Sequence, residues 1–214
     1  MASGCNAIFF VTGNGSITNF PFVPTLKVVT TTQRYEMLEH DMDINAGAYQ
    51  DGVSMDALGS STLDLTVAVA GGQRSKGEKA GHAQVQIWRN WPQKDGDALE
   101  TLRNAPAPNG YGMRPDVDET PTLEIEALRN GPMWTSDCVG LILPTSLCSG
   151  QIARMIAERL NERGLGNDRG ISRFVALVHT EGCGVAGTTA EEMFSRSMVS
   201  YLLHPMVGPA LLLE

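Results

Sequence analysis

The order of apolar and polar segments predicts an α/β protein: a mostly parallel, doubly wound (Rossmann-like) sheet preceded by a mixed α/β N-terminal lobe. Three observations carry that reading. Beyond residue 139, short apolar runs alternate with amphipathic segments of helical period. Their β-α-β-α-β order is that of a parallel, doubly wound sheet. Polar motifs follow the apolar runs directly, where ligands bind in parallel sheets.

In chain order, Ala7-Ile8-Phe9-Phe10-Val11 reads as a buried strand over 7–12, and a second strand is expected over 26–31. Irregular chain follows through the Asp- and Gly-rich stretch 41–52. An apolar helix over 55–70 ends at Gly71-Gly72. The alternation Ala83-Gln84-Val85-Gln86-Ile87-Trp88 predicts a strand with one buried face. Trp88 and Trp91 suit burial at its end better than stacking on a sugar. Residues 92–135, rich in proline, glycine and charge, read as a connection between lobes 1–91 and 136–214. The second lobe then reads strand 139–143, helix 149–163, strand 174–178, helix 189–203 and strand 210–213. Thr189-Ala190-Glu191-Glu192 is a candidate capping box. A β-α-β-α-β order implies parallel strands with right-handed crossovers.

Composition narrows the function classes. The 214 residues carry a net charge of −8 and are 42% hydrophobic, enough for a core. Acidic and basic residues are interspersed, which argues against nucleic-acid or membrane-surface partners. No apolar stretch approaches the roughly 18 residues of a membrane span. Met1-Ala2-Ser3-Gly4 lacks the features of a secretory signal, and Cys5, Cys138, Cys148 and Cys183 show no paired spacing. Reduced thiols and a cytoplasmic location are the expectation.

The loop Gly13-Asn14-Gly15-Ser16-Ile17-Thr18-Asn19 joins flexible backbone to short hydrogen-bonding side chains. It suits a ligand dense in hydroxyls and carboxylates, and equally a polar turn. His179, Glu181 and Cys183 place imidazole, carboxylate and thiolate within five residues after an apolar run. They suit iron, manganese or zinc, or else a buried cysteine and a satisfied strand-end histidine. Cys148 stands before a predicted helix start, where the helix dipole favours a thiolate. That helix start, with Thr145, Ser146 and Ser149, also suits a carboxylate. Lys76, Glu78, Lys79 and His82 form a charged turn; Asp41 and Asp43 read as a solvent-facing turn more readily than as metal ligands.

Residues 13–32, Met42-Asp43-Ile44-Asn45-Ala46-Gly47 and Lys76-Gly77-Glu78-Lys79-Ala80-Gly81-His82 resemble the C-terminal region of the altronate and galactarate dehydratases. Residues 139–214, with Leu143-Pro144-Thr145-Ser146-Leu147-Cys148 and His179-Thr180-Glu181-Gly182-Cys183-Gly184, resemble the middle portion of the same family. The two stretches stand in reverse of the expected order, which implies a piece of a longer or permuted member. The resemblance implies a metal-assisted hydro-lyase that removes water from an aldonate or aldarate to give a 2-keto-3-deoxy acid. The alternative is a non-catalytic sugar-acid-binding or assembly module.

The resemblance further implies a divalent metal, Fe2+ first and Mn2+ second, on His179, Glu181 and Cys183. It points to Asn14, Ser16, Thr18, Asn19, Thr145 and Ser146 as sugar-acid contacts. Dehydration needs a base for the proton beside the carboxylate, an acid for the leaving hydroxyl, and charge for the enediolate. Lys79, His82 and His179 are the candidates for proton transfer. The expected partners are a small sugar acid and either a second copy or the rest of a longer chain.

Overall fold

The computed structural model describes residues 1–87, 97–107, 109–112, 124–182, 184–185 and 187–214. It is α/β with parallel sheets. One compact unit holds Met1–Trp88 with Ile125–Glu214; a second, Arg89–Glu124, contains the helix Asp97–Asn104 (α4).

The first sheet is parallel, in the order β1 (Ile8–Thr12), β2 (Thr25–Val29), β3 (Ile44–Asn45). Leu26, Val28 and Ile44 pack on Leu65 and Val69 of the helix Met55–Ala70 (α2). Ser54 caps that helix by accepting from the Ala57 N–H at 3.2 Å. The stretch 41–52 is more regular than expected: β3 runs into a 3-10 turn, Ala46–Asp51. The short helix Thr32–Met37 (α1) carries no buried residue, and so no apolar period announces it. Gly47 lies against the Thr31 backbone, where a Cβ would stand 2.4 Å from the Thr31 Cα.

The second sheet is also parallel. Its central strand β6 (Val139–Pro144) lies between β7 (Arg173–Ala176) and β8 (Val207–Leu213). The pairing of β6 with β7 is the one that a β-α-β unit requires. Helix α5 (Gly150–Glu162) places Ala153 and Ala157 with Ile142, Phe174 and Ala176. Helix α6 (Thr188–Leu202) places Met198 and Tyr201 with Val139, Leu141, Leu143 and Val175, the opposite alternation. The two helices therefore cover opposite faces. A hairpin, β4 (Leu128–Asn130) with β5 (Met133–Thr135), occupies part of the stretch read as connection.

Two local expectations need correction. Residues 83–87 pair with no strand among the described residues, although Val85 and Ile87 are buried and Gln84 and Gln86 exposed; Trp88 and Trp91 lie outside those residues. The capping box is not at Thr189, because α6 starts after Gly187 without a side-chain cap. A capping box instead opens α3 (Lys76–Lys79), where Ser75 and Glu78 bond each other's backbone N–H.

The two segments share one core. Phe22, Val23, Val85 and Ile87 pack with Val139, Leu141, Leu143, Leu177 and Val207. His204 joins them further: its Nε2–H donates to the Cys5 carbonyl at 3.1 Å, and its ring meets Phe22 edge-on.

Candidate functional site

A cavity of about 680 Å3 opens at the C-terminal ends of β6, β7 and β8. Its wall takes Thr145, Ser146 and Ser149 from the β6–α5 turn, Gly182 and Gly184 from the turn after β7, and Glu191 from α6. Both sequence clusters thus meet where the strand order reverses, the usual ligand crevice of a parallel sheet. Gly150 makes the approach of α5 possible, since a Cβ there would stand 2.8 Å from Val178.

The hydroxyls of Thr145 and Ser149 donate to the Leu213 carbonyl, at 3.1 and 3.3 Å. Their protons are spent on backbone, so toward the cavity these oxygens act as acceptors. Glu191 and Glu214 add carboxylates to the wall. α5 continues directly from the 3-10 turn Leu147–Ser149, and its first N–H, that of Gly150, donates to the Leu147 carbonyl. The wall therefore accepts from hydroxyl groups along most of its length. Cys148, exposed, lies on the same wall.

His179 is 2% exposed. Its Nε2–H donates to the Pro144 carbonyl at 2.9 Å, and its Nδ1 accepts from the Glu181 N–H at 3.1 Å. These bonds fix one neutral tautomer and use both ring nitrogens. The ring also packs edge-on against Phe194. A metal would need one of those lone pairs, so His179 does not fit the ligand role, nor that of a proton shuttle, while these bonds stand. It clasps the end of β7 to the end of β6. Glu181 is buried, and Cys183 lies outside the described residues. Among the described residues, no group of three His, Cys, Asp or Glu side chains is placed to hold a metal ion.

The glycine-rich loop is held largely by its own hydroxyls. Thr12 Oγ1 accepts from the Asn14 and Gly15 N–H groups, and Ser16 and Thr18 share a 2.7 Å hydrogen bond. Asn14 is exposed. Asn19 is buried elsewhere, donating to the His82 carbonyl at 2.7 Å and to that of Phe20 at 3.3 Å. Ser16 and Thr18 are thus brought together, and Asn19 goes to His82. His82 is half-buried with an unpartnered Nδ1, whereas Lys79 is exposed on α3.

Asp43 is no solvent-facing turn residue. Its Oδ2 accepts from the Lys27 N–H at 2.9 Å, and its Oδ1 from the Lys76 N–H at 2.8 Å, tying β2 to α3. Lys76 turns its own ammonium outward to the Glu39 carbonyl and Tyr35. Sequence reasoning missed Lys27, a fully buried lysine in mid-strand. Burial pushes its pKa down, Asp43 and Asp41 pull it up, and Lys76 pushes it further down; the net direction is down. Its visible signal is a lysine inside the run Leu26-Lys27-Val28-Val29.

Among the described residues, no helix is long and apolar enough to cross a membrane. No solved structure matches the chain. Three characterised relatives align with about two-fifths of it. Altronate dehydratase of Bacillus subtilis (strain 168) is 34% identical over 90 residues, 42% of this chain and 18% of the relative. Altronate dehydratase of Escherichia coli (strain K12) is 28% identical over 88 residues, 41% of this chain and 18% of the relative. The (2R)-sulfolactate sulfo-lyase subunit beta of Chromohalobacter salexigens is 25% identical over 89 residues, 41% of this chain and 23% of the relative. The chain thus spans less than a quarter of their lengths.

Two family models match. Residues 1–93 match the model described as D-galactarate/altronate dehydratase, C-terminal. Residues 139–214 match that described as D-galactarate dehydratase/altronate hydrolase, second domain. The C-terminal type of segment precedes the second-domain type, as the sequence motifs predict. The two matches cover both halves of the shared core, and the chain belongs to the D-galactarate/altronate dehydratase family.

Proposed function

We propose that this chain serves sugar-acid dehydration, the removal of water from an aldonate or aldarate to a 2-keto-3-deoxy acid. The observation that carries the reading is the cavity at the ends of β6–β8, walled by the motif clusters at Thr145–Ser149 and Gly182–Val185. Its row of hydroxyl and carboxylate acceptors suits the hydroxyls of a sugar acid. The positive end of the α5 dipole suits its carboxylate. The coverage of opposite sheet faces by α5 and α6 supports a doubly wound second sheet.

In this reading Thr145, Ser146 and Ser149 orient the polyol. Both nitrogens of His179 are engaged, and His82, whose Nδ1 is unpartnered, stands beside α3 and is not in the cavity wall, so the proton-transfer group at this cavity is not assigned. No step is derived through a metal; iron or manganese requires a donor set that leaves the His179 clasp intact. The ligand is a small acid, with no nucleic acid or membrane partner, and the site of action is the cytoplasm.

A second reading is favoured by one observation: the chain spans only 18% of either altronate dehydratase. It is then a sugar-acid-binding or assembly module whose catalysis needs a second copy or another chain. Calorimetric titration of the 214-residue protein with galactarate and altronate, beside a 2-keto-acid assay, separates the readings. Binding with turnover supports the enzyme, and binding without turnover the module. No binding of either acid contradicts both.

A further inference from the structure

His204 is 1% exposed, and both of its ring nitrogens are bonded to backbone. Its Nε2–H donates to the Cys5 carbonyl at 3.1 Å, and its Nδ1 accepts from the Met206 N–H at 3.1 Å. The ring meets Phe22 edge-on, with centroids 5.0 Å apart. His179 repeats this pattern: its Nδ1 accepts from the N–H two residues on, its Nε2–H donates to a distant carbonyl, and its ring meets Phe194 edge-on. What each histidine joins is different. His179 ties two strand ends of one family segment, whereas His204 ties an arm of the first segment, residues 1–6, to the start of β8 in the second.

The arm has little else polar to hold it. Among the described residues, the His204 bond is its one hydrogen bond to the rest of the molecule, because the Gly4 N–H goes to Met1 within the arm. Met1, Ala2 and Cys5 pack against the apolar cluster that contains Phe22, Met206 and Val207. A neutral imidazole fits this place and an imidazolium does not. Protonation puts a hydrogen on Nδ1, donor against donor with the Met206 N–H, and places a charge where burial disfavours it. The neighbouring titratable groups give no relief. The arm brings the Met1 amine, a like charge, and the Cys5 thiol. α6 brings the Tyr201 phenol, which burial pushes up and so keeps neutral. Phe22 and β8 bring no ionisable group, and Asn130 of the hairpin, bonded to the Pro205 and Val207 carbonyls, is uncharged.

We propose that His204 is an acid-operated latch between the two family segments. Neutral, it holds the arm 1–6 on the start of β8; protonated, it releases the arm while both sheets stay folded. The released arm is free of burial and titrates near 6.5, whereas the latched ring titrates lower. The latch is therefore closed above pH 6.5. Below it, the open fraction grows by up to about tenfold per pH unit until the latched pKa is reached. The device does not depend on the sugar-acid reading or on the sheet-end cavity.

The test is an NMR titration of the 214-residue protein from about pH 7.5 to about pH 4.5. The His204 ring signals report protonation, the backbone order parameters of Gly4, Cys5 and Asn6 report the arm, and those of Leu141 and Ile142 report the second sheet. The arm is expected to pass from about 0.85 to below about 0.6, with the midpoint of the ring, while Leu141 and Ile142 stay rigid. His204→Gln keeps a side-chain N–H for the Cys5 carbonyl but does not titrate, so its arm order should not change with pH. An arm that stays ordered while the ring titrates would overturn the latch. Loss of order at Leu141 and Ile142 with the same midpoint would also overturn it, as would a ring that stays neutral until the whole protein unfolds. Release of the arm at the same pH in His204→Gln would assign the trigger to another group and overturn it as well. If His204→Gln does not fold, the wild-type midpoints decide: coincidence of ring and arm supports the latch, and separation contradicts it.

Discussion

The two parallel sheets are built alike and used differently. The β6 strand is apolar and buried along its length, with an apolar cluster on each face, and its polar chemistry begins only where the strand ends. The β2 strand is just as buried, but it carries Thr25 at its start and Lys27 in mid-strand. Among the described residues, the sheet-end cavity has acceptors and no basic side chain in its wall, whereas the interior near β2 has a cation with no hydrogen-bond acceptor on it. A strand that must only hold a site stays apolar, and a strand that carries charge inside gives up stability to do so.

The comparison can be broken most forcefully at Gly47. A Cβ there would meet the Thr31 and Thr32 backbone at 2.4–2.6 Å, and backbone cannot swing aside. Gly47→Ala is expected to cost about 3 kcal/mol by denaturant unfolding. Gly140→Ala, facing the movable Phe174 ring in the second sheet, should cost less. Equal losses would show that the first sheet is no more tightly constrained than the second.

Next comes the His179 clasp. His179→Ala leaves the Pro144 carbonyl and the Glu181 N–H without their partner and opens a void, so about 2–3 kcal/mol should be lost. Ferrous iron added under anaerobic conditions should change the wild-type and variant midpoints equally. Iron stabilising only the wild type would restore the histidine as a ligand.

A smaller effect separates the capping box found at Ser75 from the one expected at Thr189. Ser75→Ala should cost about 1 kcal/mol, because Ser75 accepts from the Glu78 N–H and Glu78 returns the bond. Thr189→Ala should stay within about 0.5 kcal/mol. The reverse ranking would overturn the assignment of both helix starts.

The smallest expected effects are pH slopes. Burial lowers the His204 pKa below 6.5, the N-terminal amine lowers it further, and the bond to the Cys5 carbonyl opposes both. Below pH 6.5 the unfolded chain therefore binds the proton first, and stability falls as acid is added. His204→Gln should lower stability and flatten that slope. For Lys27 the folded pKa is also lowered, so its burden is full below that pKa and lifts as pH rises through it toward 10.5. Lys27→Met should lack that rise.

Legibility in the sequence followed periodicity. Strands and helices of the second segment stand within a few residues of where alternation and amphipathic spacing put them, and α2 spans the predicted 55–70. The α1 helix carried no such signal, having no buried face. The 83–87 stretch kept its alternation but found no neighbour to pair with, which only tertiary structure decides. Three S/T-x-x-E patterns are present, at Ser75, Thr188 and Thr189, and the sequence could not say that Gly187 would begin α6 first. At the site, residue type showed that His179 belongs at a strand end but not that both nitrogens would be engaged. Lys27 passed unnoticed because lysine in a strand normally marks an exposed face.

The central claim is that a sugar acid occupies the cavity beyond the second sheet. Amide chemical shifts of the 214-residue protein, followed by NMR as galactarate is added, test it directly. The account predicts saturable shifts at Ser146, Ser149, Gly150, Gly182 and Gly184. Saturating galactarate that leaves these amides unmoved would contradict it.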